Sequence, residues 1–172
     1  GSIFSTPATR AVAELILKDS AHLQEKDADF ANRKEFSRHH PALPLYGVRE
    51  AERALQAFVP VPPHKSVALP GEAALLFRGG GHSVGAATAQ IDIAGRRIVF
   101  SGDLGRYDDP VMNDPEPVPE ADYVVIESTY GDRRHEAADP VEALGAVVER
   151  TVKRGGTVVI PAFAVGRAQS LI

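Results

Sequence analysis

Two hydrophobic periods divide the chain. Before about residue 58, apolar positions recur every three or four residues; after residue 73 they alternate or run together. Residues 7–24 place Val12, Leu15, Ile16 and Leu23 on one helical stripe, with Thr6 as N-cap and Pro7 at the first helical position. Residues 26–38 read as a second, mostly polar helix anchored by Phe30 and Phe36. After the proline-broken loop "HHPALPLYG", residues 48–58 form a short amphipathic helix with Val48, Ala51, Leu55 and Phe58 inward. Residues 59–65, "VPVPPHK", read as an extended linker.

The second half changes pattern. Residues 73–78 form a strand, and residues 86–93 and 96–102 form a hairpin around a turn at Ala94-Gly95. A loop dense in Pro and Asp follows over 106–120. "DYVVIEST", residues 122–129, is a buried strand. Residues 139–153 are a helix capped by Asp139, with Pro140 in its first turn and Gly155-Gly156 at its end. "TVVIPAF", residues 157–163, is another buried strand, and a further helix starts at residue 164. Strands alternating with helices predict an α/β layered fold.

Composition narrows the class. The 172 residues suit one domain, or one and a fragment, with 44% hydrophobic and 24% charged residues. No apolar run is long enough for a membrane span. The chain has no cysteine, which excludes disulfides and thiolate metal sites and fits a reducing compartment; the cytoplasm is the expected location. A net charge of −4 weighs against an all-over basic surface but leaves room for a local nucleic-acid groove.

Candidate chemistry gathers at strand ends. With the turn at Ala94-Gly95, Ala86 falls roughly opposite Asp103, so His82 and Asp103 return to one end of the sheet. Glu127 and Arg167 close later strands at the same kind of edge, where open α/β sheets bind ligands. Imidazole nitrogen and carboxylate oxygen suit a divalent metal such as zinc. The glycines around His82 allow positive φ and close backbone approach. "GGGHSVG" is neither a phosphate-binding loop, lacking Gly-Lys-Ser/Thr, nor a nucleophile elbow, lacking Gly-x-Ser-x-Gly. Of the other histidines, His39 and His40 precede Pro41 in a loop with no partner carboxylate in motif spacing, His22 reads as structural on a helix beside Gln24 and Glu25, and His64 and His135 are loop residues with no assigned role.

Together, "GGGHSVGAA", "VFSGDLGR", "VVIESTYGDR" and "VVIPAFAVGRAQ" resemble the metallo-β-lactamase fold, specifically its β-CASP branch of nucleic-acid-cleaving hydrolases. That branch includes bacterial and archaeal RNases related to the mRNA 3′-end processing endonuclease. The opening "TPATRAVAELILKDSAHLQEKDA" is similar to the same group. The resemblance implies the central-to-C-terminal part of an αββα sandwich over residues 1–134 and the start of a β-CASP domain over 135–172. It implies His82 as a zinc ligand and Asp103 as the carboxylate bridging two zinc ions. Glu127 matches the acidic residue that orients a late histidine, and Arg167 is a candidate phosphate contact.

The family's main zinc motif, His-x-His-x-Asp-His, is absent from these residues. The chain therefore reads as the middle of a larger enzyme, inactive by itself because a catalytic zinc needs at least three protein ligands. RNA is the implied substrate, with DNA as an alternative, and a homodimer is compatible with the family. Two rival functions are a small-molecule hydrolase of the same fold, disfavoured by "ESTYGDR" and "AFAVGRAQ", and a non-catalytic RNA-binding scaffold, disfavoured by His82, Asp103 and Glu127.

Overall fold

The computed structural model describes residues 1–134, 139–162 and 165–166. The chain divides into two compact units, Gly1–Glu127 and Ser128–Ile172.

The first unit opens with a short strand, β1 (Ile3–Ser5), and a long helix, α1 (Pro7–Lys34). Thr6 caps α1, its hydroxyl accepting from the Thr9 N–H at 3.1 Å, with Pro7 next. The sequence predicts two helices between residues 7 and 38; the structure has one. No Gly or Pro interrupts Gln24 to Lys26, so the ladder continues until Glu35 turns left-handed at φ 53°.

The face α1 buries also differs from the expected stripe. Ala21, Ala28 and Ala31 are buried, whereas Leu15, Ile16 and Leu23 are exposed, Leu15 by 72%. The alanines allow close approach by α2 (Val48–Leu55), which buries Ala51 and Leu55. Period alone does not say which of two apolar stripes meets a partner helix; side-chain bulk decides here. Phe30 and Phe36 are exposed and lie against each other at 6.0 Å between ring centroids, rather than anchoring a core. Polar groups fasten the loop before α2. Asn32 exchanges two hydrogen bonds with Ala42, and the Tyr46 hydroxyl donates to Ser20 at 2.9 Å.

Part of the expected linker is a strand. β2 (Phe58–Pro60) pairs parallel with β1, so Phe58 leaves the helix that was expected to hold it. The main sheet has the order β3 (Val67–Leu69), β4 (Ala73–Gly79), β5 (Ala87–Ile93), β6 (Arg96–Phe100), β7 (Tyr123–Val125). Every pairing is antiparallel except β6 with β7, so the architecture is mixed α/β with a mixed sheet. Ala94 and Gly95 both have positive φ, the geometry of a two-residue hairpin turn. The resulting register pairs Ile93 with Arg96 and Ala89 with Phe100, which extrapolates to Ala86 opposite Asp103 as the sequence predicts.

Pairing sorts the sheet into two unlike faces. Leu75, Phe77, Ala89, Ile91 and Ile98 share one face; Arg78, Thr88, Gln90, Arg97, Val99 and Ser101 share the other. β7 is shorter than expected and is not buried. Tyr123, Val124, Val125 and Ile126 are all exposed, and β7 stands last in the strand order of the sheet.

In the second unit, α3 (Pro140–Lys153) forms where predicted, with the Asp139 carboxylate accepting from the Val141 N–H at 2.8 Å and Gly155 at φ 72° beyond its end. Residues 157–162 form no strand, and Val159 is 84% exposed, contrary to the buried strand expected there. β-branched residues favour a pleated backbone, but that preference alone does not make a strand, which also needs a hydrogen-bonded ladder. Arg167, His135 and most of the last expected helix lie outside the described residues.

Candidate functional site

Strands β4, β6 and β7 run in one direction, with antiparallel β5 threaded between the first two. Their carboxyl ends therefore lie on one edge of the sheet. His82 follows β4, Asp103 follows β6 and Glu127 follows β7.

Backbone contacts bring the three segments together. Gly81 and Leu104 form an isolated antiparallel bridge, and the Gly105 N–H donates to the Gly80 carbonyl at 2.8 Å. His82 and Asp103 are thus neighbours of a directly paired couple. Gly105 is required by close approach: a Cβ there would collide with the Gly81 backbone and the His82 nitrogen. Glu127 reaches the same turn, since the Leu104 N–H donates to its Oε1 at 2.7 Å. Ser101 sets that reach, its Oγ accepting from the Glu127 N–H at 3.0 Å while its own N–H donates to the Val125 carbonyl at 2.9 Å. His82 and Asp103 are both exposed, so neither is sealed in apolar surroundings.

The His82 loop is held from two further sides. Upstream, the Glu116 carboxylate accepts from the Gly79 N–H at 3.1 Å and lies 3.2 Å from His64 Nε2. Downstream, the hydroxyls of Thr6 and Thr9 both donate to the Gly85 carbonyl, at 2.9 and 2.8 Å. The sequence reading misses these supports. Thr6 carries an N-cap signal that hides its second role, and Glu116 sits in a Pro-rich loop with no local signature.

The opposite end of the sheet is chemically quiet. An open cleft beside the Ala94-Gly95 turn contains Arg96 and Arg97, but each guanidinium is neutralised. Arg96 pairs with Asp122 and Arg97 with Asp92, both at 2.7 Å. Hydrogen bonding by Arg97, reinforced by Gln90, holds the Asp92 carboxyl below the ordinary aspartate range. This arrangement stabilises the hairpin and leaves little cationic capacity for a ligand.

At the His82 edge, one imidazole and one carboxylate offer zinc-type donors. Among the described residues, no group of three or more His, Asp or Glu side chains is placed to hold a metal ion. The segment fits a contribution of two ligands to a larger set, short of the three a catalytic zinc requires.

This edge and the mixed sheet carrying it describe an α/β segment whose candidate donors sit on loops beyond strand ends. The whole chain is similar to curated ribonucleases and to a cleavage and polyadenylation specificity factor subunit. It is 33% identical over 173 residues to Ribonuclease TTHA0252 of Thermus thermophilus, covering 36% of that protein. It is 30% identical to Endoribonuclease YSH1 of Saccharomyces cerevisiae and 31% identical to Cleavage and polyadenylation specificity factor subunit 3-I of Arabidopsis thaliana, covering 22% and 23% of them. In each case the similarity takes in 100% of the present chain, which spans roughly a third or less of those relatives' lengths. No family model matches. The chain is thus similar over its whole length to part of each of these relatives.

Proposed function

We propose that this segment belongs to a zinc-dependent hydrolase that cleaves RNA phosphodiester bonds, and that His82 and Asp103 are among its metal ligands. The observation that carries the reading is the Gly81–Leu104 bridge, which sets the His82 loop beside the Asp103 turn on the edge that Glu127 also reaches. Similarity to named ribonucleases over the full chain supports RNA as the substrate class. Zinc bound there would supply Lewis-acid activation of water and of the phosphoryl oxygen. His82 and Asp103 would supply donor atoms. Glu127 fixes the Asp103 turn by accepting the Leu104 N–H, so it acts on the geometry of the carboxylate beside it. Arg167 is retained as the candidate phosphate contact from its place in "AFAVGRAQ".

The decisive experiment substitutes Asp103→Ala in the full-length protein and measures bound zinc and RNA cleavage together. Both should fall, with cleavage reduced at least about a hundredfold if a transition-state charge contact is lost. Unchanged zinc content with unchanged turnover would show that the carboxylate is not part of the site.

A further inference from the structure

We propose that Thr9, backed by Thr6, is a positioning residue that sets the loop presenting His82; the inference rests on the reading of His82 as a zinc ligand. Residues 80–86 form a nearly closed ring. The Gly80 N–H donates to the Ala86 carbonyl at 2.9 Å, and the Ala86 N–H donates to the Ser83 carbonyl at 2.9 Å. His82 lies within that ring, which can tilt as a unit unless something outside grips it. On its Gly80–Gly81 side the grip is the Gly81–Leu104 bridge. On the far side it is the Gly85 carbonyl, which receives the hydroxyls of Thr9 at 2.8 Å and Thr6 at 2.9 Å.

The fit is close as well as polar. Gly85 has φ 89°, and a Cβ there would run into the backbone nitrogen and hydroxyl of Thr9. The first turn of α1 is thus seated directly on the loop. Thr6 does two things at this place: its Oγ1 accepts the Thr9 N–H at 3.1 Å as helix cap, and it donates its own proton to the Gly85 carbonyl at 2.9 Å. β1 holds this corner to β2 through the Val61 N–H to Ser5 carbonyl bond of 2.7 Å. A hydroxyl pair on a rigid helix end, far in sequence from the loop it grips, is the arrangement that fixes a ligand-bearing loop from outside.

The test uses the full-length protein and reads zinc affinity by competition with a chromophoric chelator, alongside melting of the metal-free protein. Thr9→Val keeps the side-chain shape and leaves Thr6 as cap, but removes the shorter donor. Its zinc affinity should fall about tenfold, the scale of outer-shell losses at metal sites, with melting of the metal-free form little changed. Thr9→Ser, which restores the hydroxyl, should bind zinc like the native protein. Native affinity in Thr9→Val overturns the proposal, as does a loss that Thr9→Ser fails to rescue or that merely parallels a lower melting temperature. His82→Ala serves as reference. If it leaves zinc binding intact, the metal-site reading fails and the positioning role falls with it; if it abolishes binding while Thr9→Val is native, the positioning role alone fails.

Discussion

His82 shows how a single residue gains chemistry from neighbours that the local sequence does not reveal. Its ring is recognisable as a candidate because three glycines precede it and a strand leads into it. Asp103 and Glu127 are recognisable for a similar reason: a carboxylate just beyond an apolar strand sits where α/β sheets place ligands. What holds these residues together is not legible at that scale. Gly105 reads as an ordinary turn glycine, yet its missing side chain is what allows Gly81 and His82 to approach it. Gly105→Ala should therefore push the two loops apart and destabilise the fold by about 1–3 kcal/mol, the usual cost of forcing atoms into a filled space. Chemical denaturation measures the loss directly, and a stability within error of the native protein would contradict the close approach.

Among the elements, the hairpin is the most legible. Alternating residues on either side of Ala94-Gly95 fix its register, and the register alone predicts that His82 and Asp103 share an end. The helices are legible in extent more than in orientation. α1 carries a stripe of large apolar residues and a row of alanines, and packing against α2 selects the alanines. Along its exposed side, hydrogen bonds from Lys18 and then Arg10 hold the Glu14 carboxyl at about 2. At the junction of β6 with β7, a pH dependence is expected. Asp122 accepts from the Arg97 N–H at 2.8 Å and from the Arg96 guanidinium at 2.7 Å, and in that order these bonds hold its carboxyl below the ordinary aspartate range. A depressed folded value means that the contribution is complete above the unfolded value and is lost as pH falls through the folded one. The unfolding midpoint should decline on acidification below the ordinary aspartate range, and Asp122→Asn should be less stable near neutral pH with a shallower decline. Equal slopes in thermal melts of the two proteins would show that the contact carries no linkage.

At the scale of the molecule, the segment places His82 and Asp103 at one sheet edge, and its curated relatives are about three times as long or more. The purified 172-residue segment should therefore lose added zinc on dialysis and cleave RNA negligibly, whereas the full-length protein should retain both metal and activity. Robust, chelator-sensitive cleavage by the segment would overturn this division of labour. By itself, the sequence determined the mixed α and β content, the hairpin register, the helix caps at Thr6 and Asp139, and the residue types at the strand ends. These follow from local periodicity and turn chemistry, which act over a few residues. The strands of the main sheet, by contrast, follow one another without the helices expected between them. Only the tertiary structure decided that α1 buries its alanines, that the side chains of β7 are exposed, and that Thr6 and Thr9 grip the His82 loop. Those outcomes depend on which distant surfaces meet, and on whether a backbone group finds its partner across a gap in sequence that no local pattern spans.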